Sequence, residues 1–423
     1  MNQQEAERSA VDPDEWPTME VVKQALADPH WRPVPFYQFI IKLHGRCNLS
    51  CDYCYMYELA DQSWRGKPVA MTQETIDQAA RRIGEHIRAH NELSRVEVIL
   101  HGGEPLLAGP STLAYAATAF RNAATARSPV TLTMQTNGVL LDDNVLPVLR
   151  EHHIRVGVSV DGDREGHDRH RRYADGRGSY DLVMRGLERL RRPAYRDLFA
   201  GVLCTVDTAN DPIDVYEALL ACSPPMINFL LPHGNWNEPP PGRGEDPGST
   251  PHADWLIQIF DRWYDTAPPP TRIFLFEEIM TLILGGTGRS ETVGLGAAGI
   301  IVIETDGTFE LVDSLKSSFE GAPATGLDIF NNSLDDALLH PGVVARQRGS
   351  AALCDTCLAC PIHKICGGGY YPHRYRVGSG FLNPSVYCAD LTRLIGHIGQ
   401  RMARDIEALK ERTSDANTAA AAR

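Results

Sequence analysis

Apolar positions over residues 36–232 alternate between two rhythms. Short β-rich runs such as Phe36–Leu43 (FYQFIIKL) and Arg95–His101 (RVEVILH) are followed by stretches whose apolar residues recur every three or four positions. Thr72 caps one such stretch, in which Ile76, Ala80, Ile83 and Ile87 share a helical face. Leu113–Ala124, Asp142–Arg150, Tyr180–Leu190 and Ile213–Ala221 read as further helices. Val130–Gln135, Ile154–Val160, Phe199–Val206 and Met226–Leu231 read as further strands. Six strands with helices between them predict an α/β fold, a parallel sheet curled into a partial (β/α)6 barrel. In such sheets chemistry collects at the C-terminal strand ends.

The flanking regions lack this rhythm. Residues 1–35 are a polar extension with a short helix expected at Met19–Leu26. Residues 233–290 read as a linker and helical bridge. They hold the Pro/Gly-rich stretch EPPPGRGEDPGSTP and two helical patterns, Trp255–Tyr264 and Phe274–Leu284. Residues 291–400 read as a second unit. There Ile300–Glu304 and Thr308–Val312 flank the turn Thr305-Asp306-Gly307, a hairpin signature. A last helix is expected from about Ala389 to Leu409, and residues 401–423 end in SDANTAAAAR, expected to be disordered.

Charge and length exclude some classes. Lys plus Arg is 41 and Asp plus Glu is 54, a net −13, which argues against a general nucleic-acid partner. No stretch approaches the roughly 20 apolar residues a membrane span needs. The N-terminus has no apolar signal segment, so a cytoplasmic location without membrane partners is expected. In such a setting the ten cysteines point to metal or redox chemistry. Cys47, Cys51 and Cys54 form one cluster; Cys354, Cys357, Cys360, Cys366 and Cys388 form another. Cys204 and Cys222 stand apart and read as small buried apolar residues.

The first cluster follows the first strand with the spacing C-x3-C-x2-C. Three thiolates on one loop can hold three irons of a [4Fe–4S] cube and leave the fourth iron open to a substrate. A zinc site completed by His44 is the alternative. The triplet and its place in the βα rhythm resemble the radical S-adenosylmethionine (SAM) superfamily. In that family the open iron chelates SAM, which one electron cleaves to a hydrogen-abstracting 5′-deoxyadenosyl radical. The resemblance extends to other strand ends. Gly102-Gly103-Glu104-Pro105 matches the segment that binds the SAM amino group, with Glu104 an acceptor for the ammonium. Gln135-Thr136-Asn137-Gly138 matches the ribose-facing segment. Ser159-Val160-Asp161-Gly162 matches another, with Ser159 a ribose or carboxylate contact. Tyr53 matches the aromatic position beside the adenine. Arg171, in a segment also seen in peptide-modifying members, would meet the SAM carboxylate; the charge-rich run DREGHDRHRR could instead be a solvated loop.

The second cluster resembles the SPASM extension of peptide-modifying radical SAM enzymes, which binds two auxiliary [4Fe–4S] clusters through a core C-x2-C-x5-C-x3-C and a distant cysteine. Cys357, Cys360 and Cys366 fit the first three core positions and Cys388 the distant one. The fourth core position falls on Tyr370, and a cysteine of the family's upstream hairpin is replaced by Val312. These departures allow one auxiliary cluster, held by Cys357, Cys360, Cys366 and Cys388, and leave Cys354 over. A zinc ribbon is the alternative. Asp313 survives beside Val312; the matching aspartate of sulfatase-maturating relatives is a catalytic base. Its other reading is an ion pair with Lys316, and Glu277, Glu278 and Glu304 are weaker base candidates.

The segments FLLPHGNWNEPP, VDSLK and CGGGYYPHRYRVGSGFLNPSVYCADL resemble the FxsB-type peptide maturases. That resemblance implies a precursor peptide with a leader as partner, an electron donor such as flavodoxin or ferredoxin, and a three-residue cyclophane as product. In a cyclophane an aromatic ring carbon is bonded to the Cβ of a residue two positions away. Thioether-forming and formylglycine-generating enzymes are the competing members; a non-catalytic iron–sulfur electron carrier is the competing class. Arg374 and Arg376 could face acidic peptide residues or serve structural ion pairs.

Overall fold

The computed structural model describes residues 15–244, 246 and 248–421, with side chains to residue 411. Ten strands form one sheet. They are β1 (Gln38–His44), β2 (Val96–Gly102), β3 (Val130–Thr136), β4 (Arg155–Ser159), β5 (Phe199–Thr205), β6 (Met226–Leu230), β7 (Arg272–Ile273), β8 (Ile300–Ile303), β9 (Thr308–Glu310) and β10 (Ala324–Asp328). Their order is β10-β9-β8-β1-β2-β3-β4-β5-β6-β7. The six strands expected from the sequence run parallel in chain order.

Local signals account for the helices between them. Thr72 Oγ1 accepts the Thr75 N–H at 3.1 Å and starts the helix Gln73–Ala89, whose Ile76, Ala80, Ile83 and Ile87 are buried against the sheet core. Phe39, Ile41 and Leu43 of β1 and Val96, Val98 and Leu100 of β2 form the centre of that core. Lys42 of β1 is also fully buried, a lone charge in an otherwise apolar stretch.

Several boundaries differ from expectation. The hairpin at 300–312 does not belong to a separate unit: β8 pairs in parallel with β1, Gln38 to Ile41 opposite Ile300 to Ile303. Four successive apolar residues, IIVI, suit a strand covered on both faces. β9 stops at Glu310, because the chain turns into a 3-10 segment at Asp313–Ser317. The bridge helix begins at Pro251, where proline suits a first turn. The last helix runs from Cys388 to Ala421, so the tail expected to be disordered is helical as far as Ala421. The first residues of the N-terminal extension, 1–14, and residues 422–423 lie outside the described residues. The helix Met19–Ala27 forms as expected and packs Val21, Val22 and Ala25 on Val344. Among the described residues, no helix is long and apolar enough to cross a membrane.

Candidate active site

The C-terminal ends of β1 to β6 converge on a cavity of about 190 Å³. Cys47, Cys51 and Cys54 lie in its wall, on the loop that leaves β1. Tight turns shape this loop: the Cys54 N–H donates to the Cys51 carbonyl at 3.0 Å, and the Cys54 carbonyl takes the Glu58 N–H at 2.8 Å. The Leu49 N–H at 3.4 Å and Asn137 Nδ2 at 3.6 Å face Cys47 Sγ, so donors already point at this sulfur. Burial pushes the Cys47 thiol up to about 11 and the Cys51 thiol up to about 12, so metal binding must displace their protons. All ten cysteines are free thiols. A tetrahedral zinc would hold its sulfurs about 3.8 Å apart. Among the described residues, no cysteine belongs to a set of three ligand atoms within 4.8 Å of one another. His44 Nδ1 faces the Arg46 backbone.

Gly102 and Gly103 line the cavity, with the β2 end pressed against the cysteine loop. A Cβ on Gly103 would lie 1.9 Å from the Tyr57 hydroxyl and 2.5 Å from the Arg46 backbone. Glu104 stands differently from the expectation. It is fully buried outside the cavity wall, and its carboxylate accepts the Leu106 N–H, the Thr136 hydroxyl and the Asn137 N–H at 3.0, 2.7 and 2.8 Å. It ties the β2 end to the β3 end; burial pushes its carboxyl up to about 7. Gln135 and Ser159 line the wall, joined at 2.9 Å. Asp161 also lies behind the wall. Its carboxylate accepts from the Tyr53 hydroxyl, from Arg171 Nε at 2.7 Å and from the Thr205 N–H at 2.9 Å. Burial alone would raise this carboxyl; Arg171 and His167 hold it below its ordinary range. Asp161 thus positions Tyr53 and Arg171, which do reach the wall. The charged run DREGHDRHRR is not a solvated loop. Arg164–His170 is helical, with His167 buried against Ser179 at 3.0 Å.

A second cavity, about 380 Å³, shares Tyr55, His101, Leu230, Leu231 and His233 with the first. Asp313 lines it. The ion-pair partner of Asp313 is Lys42, 2.7 Å from Oδ2, rather than Lys316. Oδ1 is buried with no hydrogen-bond partner. Burial would raise this carboxyl, but Lys42, His101 and Lys316 hold it low, so it is ionised. Lys316 pairs instead with Glu310 at 2.9 Å and with Glu304 and Asp61 at 3.5 Å. Carboxylate oxygens of Glu304, Glu310 and Asp313 lie within 4.8 Å of one another. Burial and Glu304 push Glu310 up to about 7. Tyr370 lines the same cavity with its hydroxyl 2.6 Å from Ser314 Oγ. Glu277 and Glu278 line neither cavity and are paired with Arg272 and Arg289. The sequence missed Lys42, Tyr55, His101 and His233. The single charge inside the apolar run FIIKLH was the available signal for Lys42.

The C-terminal cysteines also gather. Cys357 is influenced, after burial, chiefly by Cys354, and Cys366 by Cys388, with Cys360 acting on both Cys366 and Cys388. Cys354 therefore stands among the set rather than apart from it. Arg374 is buried and donates to the Gly367 and Gly369 carbonyls at 2.6 Å, holding the CGGG turn, so it does not face a peptide. Arg376 is exposed. Cys204 and Cys222 are buried in the barrel core.

Residues 41–216 match the Radical SAM superfamily model. These residues match a radical SAM domain, a type of domain that works with a [4Fe–4S] cluster and SAM. Over 243 residues the chain is 28% identical to the serine-type anaerobic sulfatase-maturating enzyme of Bacteroides thetaiotaomicron, spanning 54% of this chain and 57% of that protein. It is 24% identical over 360 residues to the serine-type anaerobic sulfatase-maturating enzyme of Klebsiella aerogenes, spanning 84% of each. Native anSMEcpe with bound AdoMet and Cp18Cys peptide superposes with a TM-score of 0.73 at 21% identity, covering 88% of this chain and 99% of that one, a likeness of fold.

Proposed function

We propose that the enzyme oxidatively crosslinks a ribosomally made precursor peptide, forming a three-residue cyclophane between an aromatic ring carbon and the Cβ of a nearby residue. Cys47, Cys51 and Cys54 hold the SAM cluster, and Cys357, Cys360, Cys366 and Cys388 hold one auxiliary [4Fe–4S] cluster. Gly102, Gly103, Gln135, Asn137, Ser159, Tyr53 and Arg171 surround SAM, with Glu104 and Asp161 bracing them. When bound, these groups supply a hydrogen-abstracting 5′-deoxyadenosyl radical and an electron acceptor. Fold likeness to a peptide-bound radical SAM structure supports a peptide substrate.

The observation that carries the reading is the chamber beside the cysteine-triplet cavity. Its wall pairs aromatic surface, Tyr55 and Tyr370, with one orphaned carboxylate oxygen, Asp313 Oδ1. Tyr55 and Tyr370 offer faces against which a peptide aromatic ring can pack. Asp313 is placed to accept the proton lost when a substituted ring regains aromaticity. Lys42 keeps that carboxylate ionised before the proton arrives, at the cost of basicity. Tyr370 and Val312 occupy positions where the two-cluster pattern carries cysteines. The single-cluster reading rests on them.

Co-expression with any short open reading frame found beside its gene, followed by tandem mass spectrometry, tests the proposal. The expected product has lost two hydrogen atoms and resists fragmentation within a three-residue segment containing an aromatic residue. An unchanged peptide mass refutes it. The relatives favour one second reading, the formylglycine-generating chemistry of serine-type or cysteine-type sulfatase maturation. That product would place the change on one residue and leave fragmentation between its neighbours intact.

A further inference from the structure

Away from the cysteine loops, the helix Gln73–Ala89 ends in two histidines one turn apart. His86 is in its last turn and His90 is its C-cap. The chain returns 245 residues later to place Asp335 between them, on a short helix started by a capping box of Ser333 and Asp336. His86 Nδ1 lies 2.5 Å, and His90 Nε2 3.0 Å, from the same oxygen, Asp335 Oδ1. We propose that His86, His90 and Asp335 form a binding site for a borderline divalent transition-metal ion, with zinc the best match to two imidazoles and a carboxylate.

The hydrogen-bond count around His90 is the second observation. Its other nitrogen, Nδ1, lies 3.3 Å from Glu92 Oε1. A neutral imidazole has one N–H and one lone pair, so His90 between two carboxylates turns a lone pair toward one of them. A cation on Nε2 removes that conflict. Nδ1–H then donates to Glu92, the carboxylate–histidine–metal arrangement that fixes tautomer and ring orientation. His86 is held by packing: its ring lies 5.8 Å from Phe36 and 6.0 Å from Phe39, and its side chain is buried. Asp335 is nearly half exposed, which leaves an entry route and an open coordination position for water. The ion would pin the segment at 334–337 to a barrel helix.

The test uses cluster-loaded protein, washed with chelator, offered zinc and passed through gel filtration. Zinc and iron per chain are then counted, so that unfilled cysteine sites are not mistaken for this one. The expected result is one more zinc per chain in the wild type than in H90A or D335N. E92Q should bind about 10–100-fold more weakly. Zinc should raise the thermal midpoint of the wild type alone, since an ion that binds only the folded chain stabilises it by mass action. His90 and Asp335 are chosen because both are partly exposed; the buried His86 is left intact so that folding is not at issue. Equal zinc uptake by wild type and D335N, or no uptake by either, overturns the proposal.

Discussion

Replacing Lys42 by methionine removes the cation that faces Asp313 while keeping much of the side-chain volume. Lys42 Nζ is 2.7 Å from Asp313 Oδ2, with side-chain exposures of 1% and 5%, so solvent screens the pair little. Breaking a buried pair by deleting one partner costs about 3–5 kcal/mol, because the other charge is left uncompensated. At about 2.1 cal/mol/K per residue, the unfolding entropy of 423 residues is about 0.9 kcal/mol/K, so K42M should lower the melting midpoint by about 3–6 °C. The sign with pH follows from linkage. In the wild type the Asp313 carboxyl is held low, so its contribution is present above the ordinary carboxylate pKa and is lost as pH falls through the lowered folded value. In K42M burial dominates and raises that carboxyl, so the deficit is largest near neutral pH and shrinks as Asp313 takes up a proton. Anaerobic calorimetry of the cluster-loaded protein at about pH 7.5 and about pH 5 reads both effects. The double variant K42M/D313N, which removes both charges, should recover most of the lost midpoint. A K42M deficit that is equal at both pH values and unrelieved in the double variant would refute the reasoning.

Three further outcomes are expected. D313N should leave deoxyadenosine formation intact while crosslinked product falls, read by chromatography of both products; a normal yield would remove Asp313 from the proton's path. Glu310, raised from 4.5 to about 7, binds a proton in the folded state that the unfolded chain releases, so stability should decline as pH rises between those values. E310Q should flatten that decline in a melting-versus-pH series, and an unaltered slope would count against the shift. Removing a ligand of the auxiliary cluster should halve the iron content: C388A is expected to lose it, whereas C354A should keep it, by colorimetric iron assay. Loss in C354A would make Cys354 the ligand.

The parallel sheet was legible because its signals are local. Each strand is a short apolar run, and each helix announces itself by a cap or a periodic face, as Thr72 does for Ile76 to Ile87. The placement of β8 beside β1 was not legible, since that pairing joins residues about 260 positions apart and neither strand encodes its neighbour. The same distance hid the Asp313–Lys42 pair, although a lysine among FIIKLH marked a buried charge in need of a partner. Motif matching picked out loops that line the cavity but not which of their side chains face it. Glu104 and Asp161 carry the charges that invite a ligand, yet both are spent on neighbouring backbone and side chains. Only the atoms around a carboxylate decide whether it is free to bind. Two boundaries, Pro251 and Ala421, moved because proline and alanine extend helices that periodicity alone ends early.

The direct seam between β8 and β1 has a consequence for dissecting the molecule. A fragment ending near residue 290 would strip the outer flank from Gln38 to Ile41, leaving a ribbon of unsatisfied amides and carbonyls beside the Cys47–Cys54 loop. Such a naked margin invites self-association rather than solution behaviour. The first six strands are therefore not an excisable module, and their autonomy ends where the later hairpin is zipped onto them.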